Sequence, residues 1–109
     1  MFEFFRNIFG SANNSQLKEA IKEGVFLVDV RTPAEFSAGS VQGAVNIPLD
    51  RIASNLSKFK NKKNIVVFCR SGARSSQAKS ILEQNGFQNV INGKTWQNVK
   101  EVVSGVTEK

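Results

Sequence analysis

One cysteine, Cys69, stands where an apolar run, Ile65-Val66-Val67-Phe68, gives way to Arg70-Ser71-Gly72-Ala73-Arg74-Ser75-Ser76. The run reads as a buried strand that delivers a thiol to a short cationic turn, and a helical pattern over Ser76 to Asn85 follows. In such a setting the amide N–H groups of the turn and the positive end of the helix dipole converge on the sulfur. A free thiol titrates near about 8.5, and a helix start with neighbouring arginines lowers that by one to several units, which leaves a nucleophile at neutral pH. Ser71, Gly72 and Ala73 are expected to act through their amides, with Gly72 permitting a bend that a side chain would resist. A buried structural cysteine is the competing reading of a lone Cys. Two arginines and a glycine around the thiol favour chemistry.

A second group, Asp29, Arg31 and Glu35, lies upstream. Carboxylates beside a cysteine can shuttle protons. A structural role suits their spacing better: Arg31 and Glu35 are four positions apart around a helix start and are expected to pair, while Asp29 can hold loop amides. Trp96 is expected in the core, with a partner for its indole N–H.

Short apolar runs alternate with amphipathic stretches, the pattern of a parallel α/β sheet. A helix is expected over Ser15 to Glu23, stopped by Gly24, and a buried strand over Val25 to Val30. Thr32-Pro33-Ala34-Glu35 is a capping box with proline at the first helical position, so a short helix should begin at once. Gly39 and Gly43 punctuate the return to a strand at Ala44 to Ile47, and Pro48 closes it. The next helix, Leu49 to Phe59, would present Ile52, Leu56 and Phe59 to the core. Asn64 to Phe68 then carries Cys69 to the carboxyl end of a parallel strand, where open sheets place their ligand sites. After Ala78, Ile81 and Leu82 of the following helix, a last strand is expected over Phe87 to Ile91, and Thr95 should cap a closing helix with Trp96, Val99, Val102 and Val103.

With 109 residues the chain suits one small core and no second domain. Its 40% hydrophobic and 22% charged content is that of an ordinary globular protein. One cysteine forms no internal disulfide, and with His at 0 there is no cysteine–histidine cluster, so no metal is expected. The net charge of +6 comes partly from Lys58-Phe59-Lys60-Asn61-Lys62-Lys63, read as a solvated connection; it lacks the interleaved aromatics of a base-stacking surface, and no nucleic acid is expected. A positive field would still draw small anions toward the loop. Met1-Phe2-Glu3-Phe4-Phe5-Arg6-Asn7-Ile8-Phe9 is broken by Glu3 and Arg6, which disqualifies it as a secretory signal, and it is too short to span a bilayer. It is read as a short helix packed on the domain, with contact to a membrane surface or a partner as the alternative. A cytoplasmic chain, monomeric or weakly dimeric, is expected.

The segment Cys69-Arg70-Ser71-Gly72-Ala73-Arg74-Ser75 resembles the active-site loop of the rhodanese family of sulfurtransferases, in which arginine follows cysteine at the fifth position. Asp29-Val30-Arg31-Thr32-Pro33-Ala34-Glu35-Phe36, with Gly39 and then Gly43-Ala44-Val45-Asn46-Ile47-Pro48, resembles the family's other signature, and Ile91-Asn92-Gly93-Lys94-Thr95-Trp96 is a weaker third match. The chain differs in having Ser40 where a histidine is frequent, and Gly93-Lys94 where paired glycines are frequent. The resemblance implies a single rhodanese-like α/β domain over 15–105, built on a mostly parallel sheet of four to five strands with helices on both faces. Residues 1–14 would form a helical segment and linker, and 106–109 a tail. It further implies double displacement: the Cys69 thiolate takes the outer sulfur of thiosulfate, sulfite leaves, and a thiol, cyanide or protein cysteine accepts the sulfur from the persulfide, with no cofactor. Substrate would be bound by Arg70, Ser71, Gly72, Ala73, Arg74 and Ser75: Arg74 would bind the sulfonate oxygens, its fork suiting an oxyanion, and Arg70 would add field. Two rivals are kept. One is a cysteine phosphatase or arsenate reductase, whose comparable loop is one residue longer. The other is a non-catalytic module that binds a regulatory partner.

Overall fold

The computed structural model describes residues 14–107; the expected helix at the aromatic N-terminus lies outside them. Among the described residues four strands form one sheet in the order β2-β1-β3-β4, every neighbouring pair parallel. The strands are β1 (Phe26–Asp29), β2 (Val45–Asn46), β3 (Ile65–Cys69) and β4 (Val90–Thr95). Helix α1 covers 14–23, α2 Pro33–Ala38, α3 Ala73–Gln84 and α4 Trp96–Thr107, the last running past the boundary expected at 105. No helix among the described residues is long and apolar enough to cross a membrane.

Side-chain alternation along β3 divides the core. Ile65, Val67 and Cys69 join Val28, Ala78 and Leu82 on the face covered by α3, whereas Val66 and Phe68 join Leu17, Leu27 and Val99 on the face covered by α1 and α4. All five residues of β3 are buried, as a central parallel strand with helices on both faces requires. The same parity puts the thiol on the side of α3.

Two expected elements differ. Leu49 to Phe59 is not one α-helix but two 3₁₀ segments, Leu49–Arg51 and Ala53–Phe59, with Asn55 outside helical geometry at φ −126° and ψ 28°. Ser54 Oγ and Asn55 Nδ2 both donate to the Arg51 carbonyl, at 3.1 and 2.8 Å, and so take the acceptor that a continuing helix would use. Ile52 and Phe59 are nonetheless buried, and Leu56 packs against them. The last strand also begins later than Phe87. Phe87 instead packs edge-on against Phe59, their centroids 6.1 Å apart, and β4 pairs with β3 only from Val90 onward.

Between Val67 and Phe68 the β3–β4 register slips, so that Val67 faces Asn92, Phe68 faces Lys94, and Gly93 bulges. A methyl group on Gly93 would lie 2.5 Å from Val99 Cγ2 and 3.0 Å from Val66 Cγ1, both on stiff β-branched side chains. Gly93→Ala is expected to destabilise the fold by about 1–3 kcal/mol, measured by urea unfolding. An unchanged midpoint would mean that α4 is free to shift. Lys94, where a second glycine is frequent in the resembled motif, has φ 74°, a region glycine enters without steric cost.

Candidate active site

Cys69 ends β3 with no exposed surface, and α3 begins at Ala73, earlier than the Ser76 start expected from sequence. Arg74 and Ser75 therefore belong to its first turn. The N-cap position is Gly72, at φ 101°, and no side-chain oxygen caps the helix. The sulfur does so instead. Cys69 Sγ accepts from Gly72 N at 3.0 Å and from Ser75 N at 3.4 Å, taking amide donors that a helix start leaves unsatisfied. A cap supplied by a thiol resembles no Ser/Thr/Asp/Asn signal, which is why the sequence places the boundary too late.

The same contacts set the sulfur's acidity. Burial pushes the Cys69 thiol up, but hydrogen bonding with the Ser75 hydroxyl and with the amides of Ser75, Gly72 and Ser71 outweighs it, and the thiol is more acidic than an ordinary one. Ser75, expected among the substrate-binding residues, is itself buried; its Oγ lies 3.5 Å from Sγ and 2.7 Å from Asn92 Oδ1. Asn92 was not singled out from the sequence. A polar residue beside Val90 and Ile91, in a strand whose neighbours are buried, was the available signal.

Arg74 does not stand alone at the rim. Its guanidinium forks onto Glu35, Nη1 to Oε1 at 2.8 Å and Nη2 to Oε2 at 3.1 Å, the two side chains 34% and 29% exposed. Glu35 also closes the α2 capping box: Thr32 N donates to its Oε1 at 3.0 Å, and Thr32 Oγ1 accepts from Glu35 N at 3.3 Å. The Arg74 fork first, then the Thr32 amide, holds the Glu35 carboxyl at about 2 against an ordinary 4.5, and Glu35 in turn raises Arg74 further. Because that pKa is depressed, the bond's contribution is complete above pH about 4.5 and is lost as pH falls through about 2. Arg70, Ser71 and Ala73 are exposed around this rim.

The expected Arg31–Glu35 pair is not formed. Arg31 turns back to Asp29, Nη2 to Oδ2 at 2.7 Å and Nε to Oδ1 at 2.9 Å, with 5% and 0% of the side chains exposed. Asp29 Oδ1 also accepts from the Arg31 amide at 3.0 Å, so the local turn presents guanidinium to carboxylate before Glu35 can compete. Ser40 Oγ donates to Asp29 Oδ2 at 2.6 Å, Arg31 Nη2 donates to the Gly39 carbonyl at 2.6 Å, and the guanidinium lies 5.1 Å from the Trp96 ring centroid. Ser40, at the position where a histidine is frequent, thus adds a hydroxyl donor to the buried Asp29–Arg31 pair.

A thiol caps the helix that carries a forked arginine, on a four-stranded parallel sheet, and the family model described as "Rhodanese-like domain" matches residues 13–94 of this chain. The chain belongs to the rhodanese-like domain family. It is 43% identical over 70 residues to "Sulfurtransferase" of Allochromatium vinosum, covering 64% of this chain and 65% of that protein. It is 39% identical over 67 residues to "Thiosulfate sulfurtransferase PspE" of Escherichia coli, covering 60% and 64%. The chain thus spans just under two thirds of the length of these curated relatives. Among solved structures, "rhodanese with anions from E. coli" superposes with TM-score 0.62 at 34% identity, covering 68% of this chain and 89% of that one.

Proposed function

We propose that this rhodanese-like domain is a sulfurtransferase that carries sulfane sulfur on Cys69. The observation that carries the proposal is the donor set on Sγ: the Gly72 and Ser75 amides at 3.0 and 3.4 Å favour the thiolate that must attack. Cys69 S⁻ attacks the outer sulfur of thiosulfate, a new S–S bond forms as the old one breaks, and sulfite leaves with the bonding pair. A thiolate or cyanide then takes the outer sulfur and Cys69 leaves as thiolate again. No external electron carrier is needed. Cys69 has no exposed surface in this structure, so loading requires the surrounding loop to yield. A groove of about 480 Å³ beside Arg74, lined largely by Val30, Pro48, Leu49 and Ile81, offers an acceptor an apolar approach. The relatives named as sulfurtransferases support the activity, and the anions that accompany the solved E. coli rhodanese agree with an oxyanion donor. The reducing cytoplasm would keep a lone thiol available for this cycle.

Arg74 is the oxyanion ligand in this scheme, with Arg70 adding field and Glu35 holding the Arg74 fork at the loop until sulfonate oxygens share it. Arg74→Ala should lower kcat/KM for thiosulfate about ten- to a hundredfold, the worth of one charge-assisted contact, with unfolding little changed because the pair is partly solvated. A shifted unfolding midpoint with unaltered efficiency would make the pair purely structural. The activity itself is tested by incubation with thiosulfate and intact-mass measurement, which should show one added sulfur atom. A six-residue loop, Cys69 to Arg74, leaves a phosphoryl group short of donors; Cys69-dependent phosphate-ester turnover without a sulfur adduct would overturn the proposal.

A further inference from the structure

The Ser75 hydroxyl has one proton and three acceptors around it: Asn92 Oδ1 at 2.7 Å, the Gly72 carbonyl at 3.1 Å and Cys69 Sγ at 3.5 Å. Its direction is decided from β4. The backbone N–H of Lys94 meets the same Asn92 atom at 2.9 Å, and an N–H only donates, so that atom is the carbonyl oxygen. Between Ser75 and Asn92 the hydroxyl must then be the donor. With its proton turned away, Ser75 presents a lone pair to the sulfur, and a neutral thiol donates to it. A thiolate has no proton to give. It gains from the hydroxyl only when the Ser75 proton leaves Asn92, whose oxygen retains the Lys94 amide and is not orphaned.

We propose that Asn92 is a positioning residue that sets the direction of the Ser75 hydroxyl and thereby restrains ionisation of Cys69. The hydroxyl faces Asn92 while the sulfur is neutral and turns to Sγ when charge appears there. Resting on the role proposed for Cys69, this gives the hydroxyl a place in the cycle. The inner sulfur of a persulfide is neutral, so the hydroxyl returns to Asn92 on loading and swings back as the thiolate is expelled by the acceptor. Every step moves one hydrogen bond and no covalent proton.

The charged groups at this end of the sheet include Asp29 at the end of β1, Arg31 after it, Glu35 of α2, Asp50 beside Arg74, Arg70 of the loop, Arg74 of α3 and Lys94 of β4, and Asn92→Ala removes none of them. The test is the pH profile of Cys69 alkylation by iodoacetamide in the full chain, read as its midpoint because burial limits the absolute rate. Asn92→Ala should move the midpoint to lower pH, raising the ionised fraction below it about two- to tenfold, the net worth of one hydrogen bond. Ser75→Ala should move it to higher pH, and in that background Asn92→Ala should have no further effect. Asn92→Asp keeps an acceptor for Lys94 N and Ser75 if the alanine variant folds poorly; it should raise the midpoint, more in the presence of Ser75 than without it. An unmoved midpoint, or equal shifts with and without Ser75, would overturn the proposal. The readout needs no sulfur donor, so it can fail while sulfur transfer stands, and the converse.

Discussion

Cys69→Ser is expected to lose sulfur transfer by at least about a thousandfold while keeping the fold, since the variant removes the attacking atom and little else. Wild-type protein exposed to thiosulfate should gain the mass of one sulfur atom, released by cyanide as thiocyanate; the serine variant should gain none. Serine is the informative replacement because of the helix cap. Its oxygen can still accept from the Gly72 and Ser75 amides that Sγ now satisfies, whereas Cys69→Ala leaves both donors without that acceptor inside the loop. The alanine variant should therefore also lose about 1–3 kcal/mol of stability, seen as an earlier urea midpoint. A serine variant that retains a cyanide-labile sulfur would remove Cys69 from the mechanism.

Asp29→Ala is expected to be the most destabilising single change, by about 3–5 kcal/mol, because it strands a buried guanidinium. The Asp29 carboxylate takes the Arg31 amide, Nε and Nη2 as well as the Ser40 hydroxyl, and the groups left to Arg31 would be the Gly39 carbonyl and the Trp96 face. For a domain of this size that is a large part of the total. Asp29→Ala/Arg31→Ala should cost clearly less than the sum of the two single variants, since no uncompensated charge remains. Additive losses, or a loss below about 1 kcal/mol for Asp29→Ala, would show that the pair is not what holds β1 to the Gly39 turn.

The capping box at Thr32 to Glu35, the apolar run into Cys69 and the order of strands and helices were legible in the sequence because each depends on residues within a few positions of one another. Burial of β3 on both faces and the Thr95 cap, which accepts from Asn98 N at 3.0 Å, belong to the same class. Partner choice was not legible. Glu35 can reach Arg31 by spacing alone, but only the packing of α2 beside α3 brings Arg74, 39 positions away, within 2.8 Å of it. Likewise, Asn92 meets Ser75, 17 positions away, because β4 pairs beside β3 with Asn92 opposite Val67, on the face that α3 covers. Hydrogen bonds of this kind are won by whichever donor the tertiary fold brings closest, and sequence separation carries no information about that. What the chain determined by itself was a thiol at a strand end with the loop amides that follow it; the Asn92 oxygen on the Ser75 hydroxyl and the Glu35 carboxylate on Arg74 were decided by how the sheet and its helices meet.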